Sequence, residues 1–108
     1  MLKTKRNDTT PWPFTLLDNG AGKSLDDATA VVLYMVDEDG ETVIDGADVT
    51  PAEDQTSNPG LCTYAPTEED VSTAGMYRAE VQVTWSDGTV SSFPSDGYAY
   101  VHIGEDLG

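Results

Sequence analysis

The segment 18–24, DNGAGKS, has the residue types of a phosphate-binding loop, because it ends in the Gly-Lys-Ser of a Walker A motif. That motif needs a glycine five positions before its Gly-Lys pair, and Leu17 stands there instead. A helix must also follow, whereas two aspartates and a β-branched run come next. The sequence therefore predicts a solvated loop, with Lys23 paired to a nearby acid and Leu25 plugging the core behind it.

A second segment, DEDGETVID from residue 37, resembles a calcium loop because alternating carboxylates can surround a hard cation. Counted from Asp37, acids fill the first and third positions, but Gly40 arrives two places early for an EF-hand. The flanking residues are also typical of strands rather than helices. We predict a hairpin turn at Asp39 and Gly40, while incidental cation binding by the acidic surface stays open.

Nucleophilic catalysis has one candidate pair, since Cys62 is the only cysteine and His102 the only histidine. Cys62 lies in a predicted strand, where we expect a buried, inert thiol, and His102 is expected on a strand surface. No acid stands out as their partner among so many, and no cysteine or histidine spacing fits a metal site. We therefore predict a protein that is not an enzyme and needs no cofactor.

The charge is strongly acidic, with 20 Asp and Glu against 5 Lys and Arg and a net charge of −15. Such a field repels nucleic acid and anionic membranes, so neither is an expected partner. The acids occur in nearly every loop, which favours a surface adapted to high salt over an ordinary acidic protein with a basic partner. Lys3, Lys5 and Arg6 define a predicted basic N-terminal arm, residues 1–10. That arm is either a frayed tail or a segment that docks on an acidic neighbour, such as another copy of the chain.

Apolar residues recur with a period of two between turn signals, which predicts short strands. A helical turn is expected at 66–75, where Thr67 and Asp70 resemble a capping box. The predicted fold is an all-β, immunoglobulin-like antiparallel β-sandwich of about seven strands over residues 11–104, followed by a C-terminal tail at 105–108. The predicted strands cover residues 12–17, 28–36, 42–44, 61–65, 76–85, 89–93 and 98–103.

Two tyrosines in the last predicted strand, Tyr98 and Tyr100, share one face, and Ala99, Val101 and Ile103 share the other. If the small apolar face is the core, both tyrosines are displayed to solvent. Paired surface tyrosines are typical of a protein contact patch.

In the segment 67–103, Gly75-Met76-Tyr77 stands at the start of a predicted strand, an aspartate-glycine hairpin follows it, and the stretch FPSDGY occupies 93–98. With these features the segment resembles the end of the N-terminal domain of phage baseplate upper proteins and related small immunoglobulin-like proteins of tailed viruses. The front half, with FTLLD and Leu25, is also similar, so the resemblance covers most of the chain. It implies a structural protein without catalytic residues. Where the domain is best known, it anchors a receptor-binding apparatus to the tail.

These observations predict a non-enzymatic structural protein of a tailed virus particle, located in the virion as a baseplate, tail or head-decoration component. Its expected partners are capsid, neck, tail or baseplate proteins and copies of itself, and the acidity indicates a halophilic host. The alternative is a free carbohydrate- or cell-surface-binding module. The predicted assembly contacts are Lys3, Lys5, Arg6, Tyr98 and Tyr100.

Overall fold

The computed structural model describes residues 1–94 and 97–107, and these residues form strands and loops without a helix. Accordingly, no membrane-spanning helix occurs in the described part of the chain. The strands in chain order are β1 Leu2–Lys5, β2 Trp12–Thr15, β3 Leu17–Asp18, β4 Ala21–Gly22, β5 Ala28–Val36, β6 Thr42–Asp48, β7 Thr50–Pro51, β8 Leu61–Tyr64, β9 Gly75–Trp85, β10 Val90–Phe93 and β11 Ala99–Gly104.

Two sheets form the body of the molecule. The large sheet has the order β1-β11-β9-β5-β6. Strands β11 and β10 both pair with one edge of β9, β11 along residues 75–79 and β10 along residues 81–84. The smaller sheet has the order β2-β8-β7, and β3 and β4 form a separate hairpin. Side chains from both main sheets meet in one apolar core. The predicted all-β, immunoglobulin-like sandwich is confirmed.

Strand β9 shows why the period-two pattern predicts this fold so well. Tyr77, Ala79, Val81 and Val83 are buried, and the residues between them are half-buried on the opposite face. A strand alternates its side chains between two faces, so this pattern fixes which face meets the core. The same alternation in β5 buries Val31, Leu33 and Met35.

The segment 66–75 corrects the predicted helical turn. The Thr67 amide donates to Asp70 Oδ2, and the Asp70 amide donates to Thr67 Oγ1, as a capping box requires. The backbone then makes only turns, with hydrogen bonds from the amides of Val71 and Ser72 to carbonyls three residues earlier. Asp70 also accepts a hydrogen bond from the buried Tyr64 hydroxyl, which ties the segment to β8 instead of continuing it as a helix.

At the start of β9 the Tyr77 hydroxyl donates to the Thr73 carbonyl four residues earlier. This is the hydrogen bond of a tyrosine corner, a feature of immunoglobulin-like sandwiches. It holds the turn segment against the core where the longest strand begins.

The 18–24 segment, predicted as a solvated loop, includes most of a short hairpin of β3 and β4. Asn19 and Gly20 both have positive φ, which suits a two-residue turn. Gly22 serves a different purpose, because a Cβ there would overlap the Pro59 carbonyl. Leu25 is buried as predicted. The expected acid partner of Lys23 is wrong: its ammonium lies 5.3 Å from the Trp85 ring centroid, a cation–π contact.

A buried glutamine, Gln55, organises the long loop before β8. Its Oε1 accepts hydrogen bonds from the amides of Leu25 and Gly60, and its Nε2 donates to the carbonyls of Ala52 and Leu61. The side chain is 4% exposed, and all four bonds are about 3 Å long or shorter. One side chain therefore replaces the secondary structure that this loop lacks.

The buried thiol of Cys62 and the buried hydroxyl of Tyr64 predict a loss of stability at alkaline pH. Burial raises the pKa of the Cys62 thiol to about 11, and burial and then the Asp70 contact raise that of the Tyr64 hydroxyl. The unfolded chain loses these protons from about pH 8.5 upward. The folded chain keeps them, so this stability is complete below that pH and is lost as pH rises.

We expect the free energy of unfolding to fall above about pH 8.5 by up to about 1.4 kcal/mol per pH unit for each group. Denaturant titrations between pH 8 and pH 11 measure it. The Cys62→Ala variant should lose the first part of the slope. An unchanged slope in that variant would contradict the assignment to the thiol.

Candidate interaction surface

The N-terminal residues belong to the large sheet, which corrects the predicted arm at 1–10. Strand β1 runs parallel to β11, with Lys3 opposite His102 and Lys5 opposite Gly104. Leu2 and Thr4 are half-buried, and Leu2 packs on the core, whereas Lys3 and Lys5 are exposed. The sequence hid this because a four-residue strand with two lysines has little apolar pattern of its own. Backbone pairing with β11 holds these four residues in the sheet.

The solvent-facing side of the large sheet, here called the outer face, collects most of the predicted contact residues. Tyr100 is opposite Arg78 in the pairing of β11 with β9, and it is 48% exposed while Val101 and Ile103 are buried. Lys3 and Lys5 point to the same side as Tyr100 because their neighbours in β1 face the core. Residues 3, 5 and 100 are therefore displayed together.

Tyr98 precedes β11 and is 49% exposed. The guanidinium carbon of Arg78 lies 5.4 Å from its ring centroid, in a cation–π arrangement. The prediction that both tyrosines are displayed is confirmed, and their role as contacts stays a prediction. Ser95 and Asp96, part of the FPSDGY stretch, lie outside the described residues.

Arg6 turns away from this face and is used within the chain. Its Nη2 lies 2.9 Å from Asp106 Oδ1, and its Nε donates to the same oxygen. Asn7 donates to the other oxygen of Asp106. The hydrogen bond from Arg6, and then that from Asn7, lowers the pKa of Asp106 below its usual range. Arg6 therefore holds part of the predicted C-terminal tail against β1.

Opposite charges occupy the two sides of the outer face. Its basic edge is β1, with Lys3 and Lys5; Arg78 lies on the central strand β9, and these three are among the five basic residues of the chain. Its acidic edge is on β6, where Asp45 and Asp48 are exposed beside β5. Between the edges lie half-buried side chains of both kinds: apolar Val32, Tyr34, Val36 and Met76, and polar Arg78, Glu80 and Gln82.

The acidic 37–41 segment is a hairpin turn, as predicted, and two of its carboxylates accept hydrogen bonds from backbone amides. Asp37 Oδ1 accepts hydrogen bonds from the amides of Asp39 and Glu41, and Gly40 takes a positive φ. Glu38 accepts a hydrogen bond from the Met76 amide. In the described part of the chain, no group of three His, Cys, Asp or Glu residues is arranged to hold a metal ion.

The candidate nucleophile and base do not meet. Cys62 is fully buried in the small sheet, and His102 lies on the outer face of the large one. The raised pKa of the Cys62 thiol, about 11, keeps it protonated at neutral pH. The predicted buried thiol is confirmed.

Comparisons with known proteins show the fold and no more. No protein-family model matches the chain, and no curated protein does. The chain is similar to the crystal structure of CopC from Methylosinus trichosporium OB3b, with a TM-score of 0.60 over 99% of this chain and 86% of that one. The two sequences are 13% identical. The likeness confirms the β-sandwich fold. At this identity it carries no argument about function.

An apolar cavity of about 210 Å³ opens between β2 and the junction of β10 with β11. Phe14, Leu17, Val81 and Phe93 are among the residues that line it. Pockets for small ligands usually enclose about 300–1,000 Å³ and include well-placed polar groups. This cavity is therefore a poor candidate for a small-ligand site.

Proposed function

We propose that the protein is a non-enzymatic structural component of a tailed virus particle, which acts by binding other proteins of the particle through the outer face of its large sheet. The partners are capsid, neck, tail or baseplate proteins and further copies of the chain. The resemblance of residues 67–103 to baseplate and other tailed-virus domains supports the virion setting. The strong acidity supports a halophilic host.

The single observation that carries the assembly role is the convergence of Lys3, Lys5 and Tyr100 on one sheet face. These residues come from the two ends of the chain, and β1 and β11 bring them together. A protein with a net charge of −15 here concentrates basic and aromatic side chains. Tyrosine is enriched at protein interfaces, and local charge of the opposite sign guides association.

The carbohydrate- or cell-surface-binding alternative has less support. An aromatic platform for a sugar needs ring faces free for stacking, and the guanidinium of Arg78 lies over the ring of Tyr98. The apolar cavity is small and has few polar groups to orient a polar ligand.

Reversing one charge on the basic edge tests the proposal. We expect Lys3→Glu to lower the number of copies per purified particle about tenfold or more, because like charges then face each other across the contact. Quantitative mass spectrometry of the particles measures the copies. Substitution is preferable to truncation, since removing residues 1–7 would also remove β1.

Lys23→Glu is the matched control, because it changes the net charge equally at a lysine beside Trp85, away from β1. It should be incorporated like the unmodified chain. Equal incorporation of the two variants, each folded by circular dichroism, would refute an assembly role for the basic edge.

A further inference from the structure

We propose that Asn19 is a site of spontaneous chemical modification, where the side-chain amide becomes a carboxylate through a cyclic imide formed with the backbone of Gly20. The co-reactant is water, and the reaction requires no enzyme or cofactor. The inference does not rest on the proposed function, because it concerns the tip of the β3–β4 hairpin and not the outer face.

The reaction balances with the groups of this tip and water. The backbone nitrogen of Gly20 loses its proton to a base in the solvent and attacks Cγ of Asn19, so that a new C–N bond forms. The bond between Cγ and Nδ2 breaks, and the departing nitrogen takes a proton from the solvent and leaves as ammonia. Water then opens the five-membered imide at one of its two carbonyl carbons. One opening gives aspartate, and the other gives isoaspartate, whose main chain passes through Cβ.

The structure leaves both reacting groups accessible. Asn19 and Gly20 are exposed at the turn, and the space beside Gly20 is open, since a Cβ built there would have no atom within 4 Å. Glycine carries no side chain to obstruct the approach of its own nitrogen to Cγ, and it adopts many backbone conformations. The residue that follows Asn19 is therefore the one that hinders imide formation least.

The hairpin that carries the tip can open. Its two strands contribute two residue pairs, Leu17 with Gly22 and Asp18 with Ala21. A two-stranded hairpin of this size is marginally stable in water, and segments with few buried contacts open locally at a small cost in free energy. Opening releases the Asn19 backbone from its φ of 52° and lets Cγ rotate onto the Gly20 nitrogen.

The other two asparagines of the chain, Asn7 and Asn58, lack these conditions. Nδ2 of Asn7 donates a 3.1 Å hydrogen bond to Asp106, and the side chain of the following Asp8 crowds the nitrogen that would attack. Asn58 precedes Pro59, whose nitrogen carries no proton to lose. The modification is therefore selective for Asn19.

The conversion changes both the charge and the main chain of the hairpin. Each product adds one negative charge, and isoaspartate also adds one carbon to the main chain of a two-residue turn. The residues after the turn are held in place, because Gly22 packs directly against the Pro59 carbonyl and the Lys23 amide donates to the Leu16 carbonyl. The turn itself must accommodate the extra carbon, which disfavours the pairing of β3 with β4.

Incubation of the folded chain between about pH 7 and about pH 8, below the range where its stability is expected to fall, tests the proposal. Peptide mapping by mass spectrometry should show the mass change from amide to acid in the peptide that contains Asn19, and faster change at the higher pH because base removes the Gly20 proton. Electron-transfer fragmentation distinguishes isoaspartate from aspartate. Isomerisation of the aspartates that precede other glycines leaves the mass unchanged and does not interfere.

A synthetic peptide of residues 17–22 with blocked ends provides the reference rate for an open segment. We expect Asn19 in the folded chain to react within about tenfold of the peptide, since the hairpin opens at a small cost in free energy. Asn7 and Asn58 should react at least about tenfold more slowly than Asn19. The variant Asn19→Gly is the control, because glycine keeps the positive φ without an amide, and its hairpin peptide should show no mass change.

Two results would overturn the inference. In one, circular dichroism shows the chain folded throughout, and Asn19 reacts more than about tenfold more slowly than in the peptide, so that the turn protects it. In the other, Asn7 is converted as fast as Asn19, so that the tip has no special reactivity. Neither result depends on the behaviour of Lys3→Glu in particles, so this inference and the proposed function can fail separately.

Discussion

Replacing Gln55 with leucine is expected to lower the free energy of unfolding by about 3–5 kcal/mol. The substitution leaves the amides of Leu25 and Gly60 and the carbonyls of Ala52 and Leu61 without their partners. Each buried group that loses its hydrogen bond costs about 1–3 kcal/mol. Denaturant unfolding monitored by tryptophan fluorescence measures the loss.

Gln82→Leu is the matched control, because Gln82 is half-buried on β9 and makes only a 3.3 Å contact with Glu80. It should cost less than about 0.5 kcal/mol.

Gln55→Glu separates shape from hydrogen bonding, since one carboxylate oxygen would face the two carbonyls that Nε2 now contacts. That variant should regain stability as pH falls and the carboxyl is protonated, because protonation is favoured in the folded state. Equal stability of both Gln55 variants and the original protein would rule out a structural role for this side chain.

Raising KCl from about 0.05 M to about 2 M is expected to increase the free energy of unfolding by several kcal/mol. Fifteen uncompensated negative charges are confined to a body with a radius of gyration of 13.9 Å. By Coulomb's law their mutual repulsion in water amounts to tens of kcal/mol before screening. Unfolding roughly doubles the radius and relieves much of that energy, so low salt favours the unfolded chain. Within the described residues, only Arg6 pairs with acids.

Thermal and denaturant unfolding across the salt series measure this effect. A variant with Asp26→Asn, Asp27→Asn, Asp39→Asn and Glu53→Gln neutralises four exposed acids. Repulsion varies with the square of the net charge, so this variant should lose about half of the salt dependence. If its dependence matches that of the original chain, salt acts through something other than charge, and the prediction of a halophilic host loses its basis.

The strands were predictable because their apolar residues alternate and their turns carry clear signals. Strand β5 begins and ends at the predicted residues 28 and 36. Strand β9 begins one residue earlier than predicted and ends where predicted, and β11 is shifted by one residue at both ends. The hairpins at Gly40 and Gly88 were predicted from aspartate-glycine pairs, whose backbone suits tight turns. Local chemistry was sufficient wherever neighbouring residues determine the conformation.

The placement of β1 was not predictable in the same way. Two of its four residues are lysines, which is not the composition of a typical strand. They form a strand because they pair with the edge of β11. Gln55 was missed for a different reason: a glutamine in a polar loop gives no sign that the loop will fold around its side chain, with three backbone partners within six residues and one, Leu25, 30 residues away.

The sequence by itself determined the β-sandwich, the buried state of Cys62, the failure of the phosphate-loop motif and the acidity of the surface, because these depend on composition, period and local turn chemistry. Only the tertiary structure decided that Lys3, Lys5 and Tyr100 share a face, that Arg6 binds Asp106, and that the acidic β6 lies across the same sheet. The physical reason is strand order. Side-chain alternation tells which way a residue points along its own strand, whereas the neighbours of that strand are chosen by packing of the whole chain.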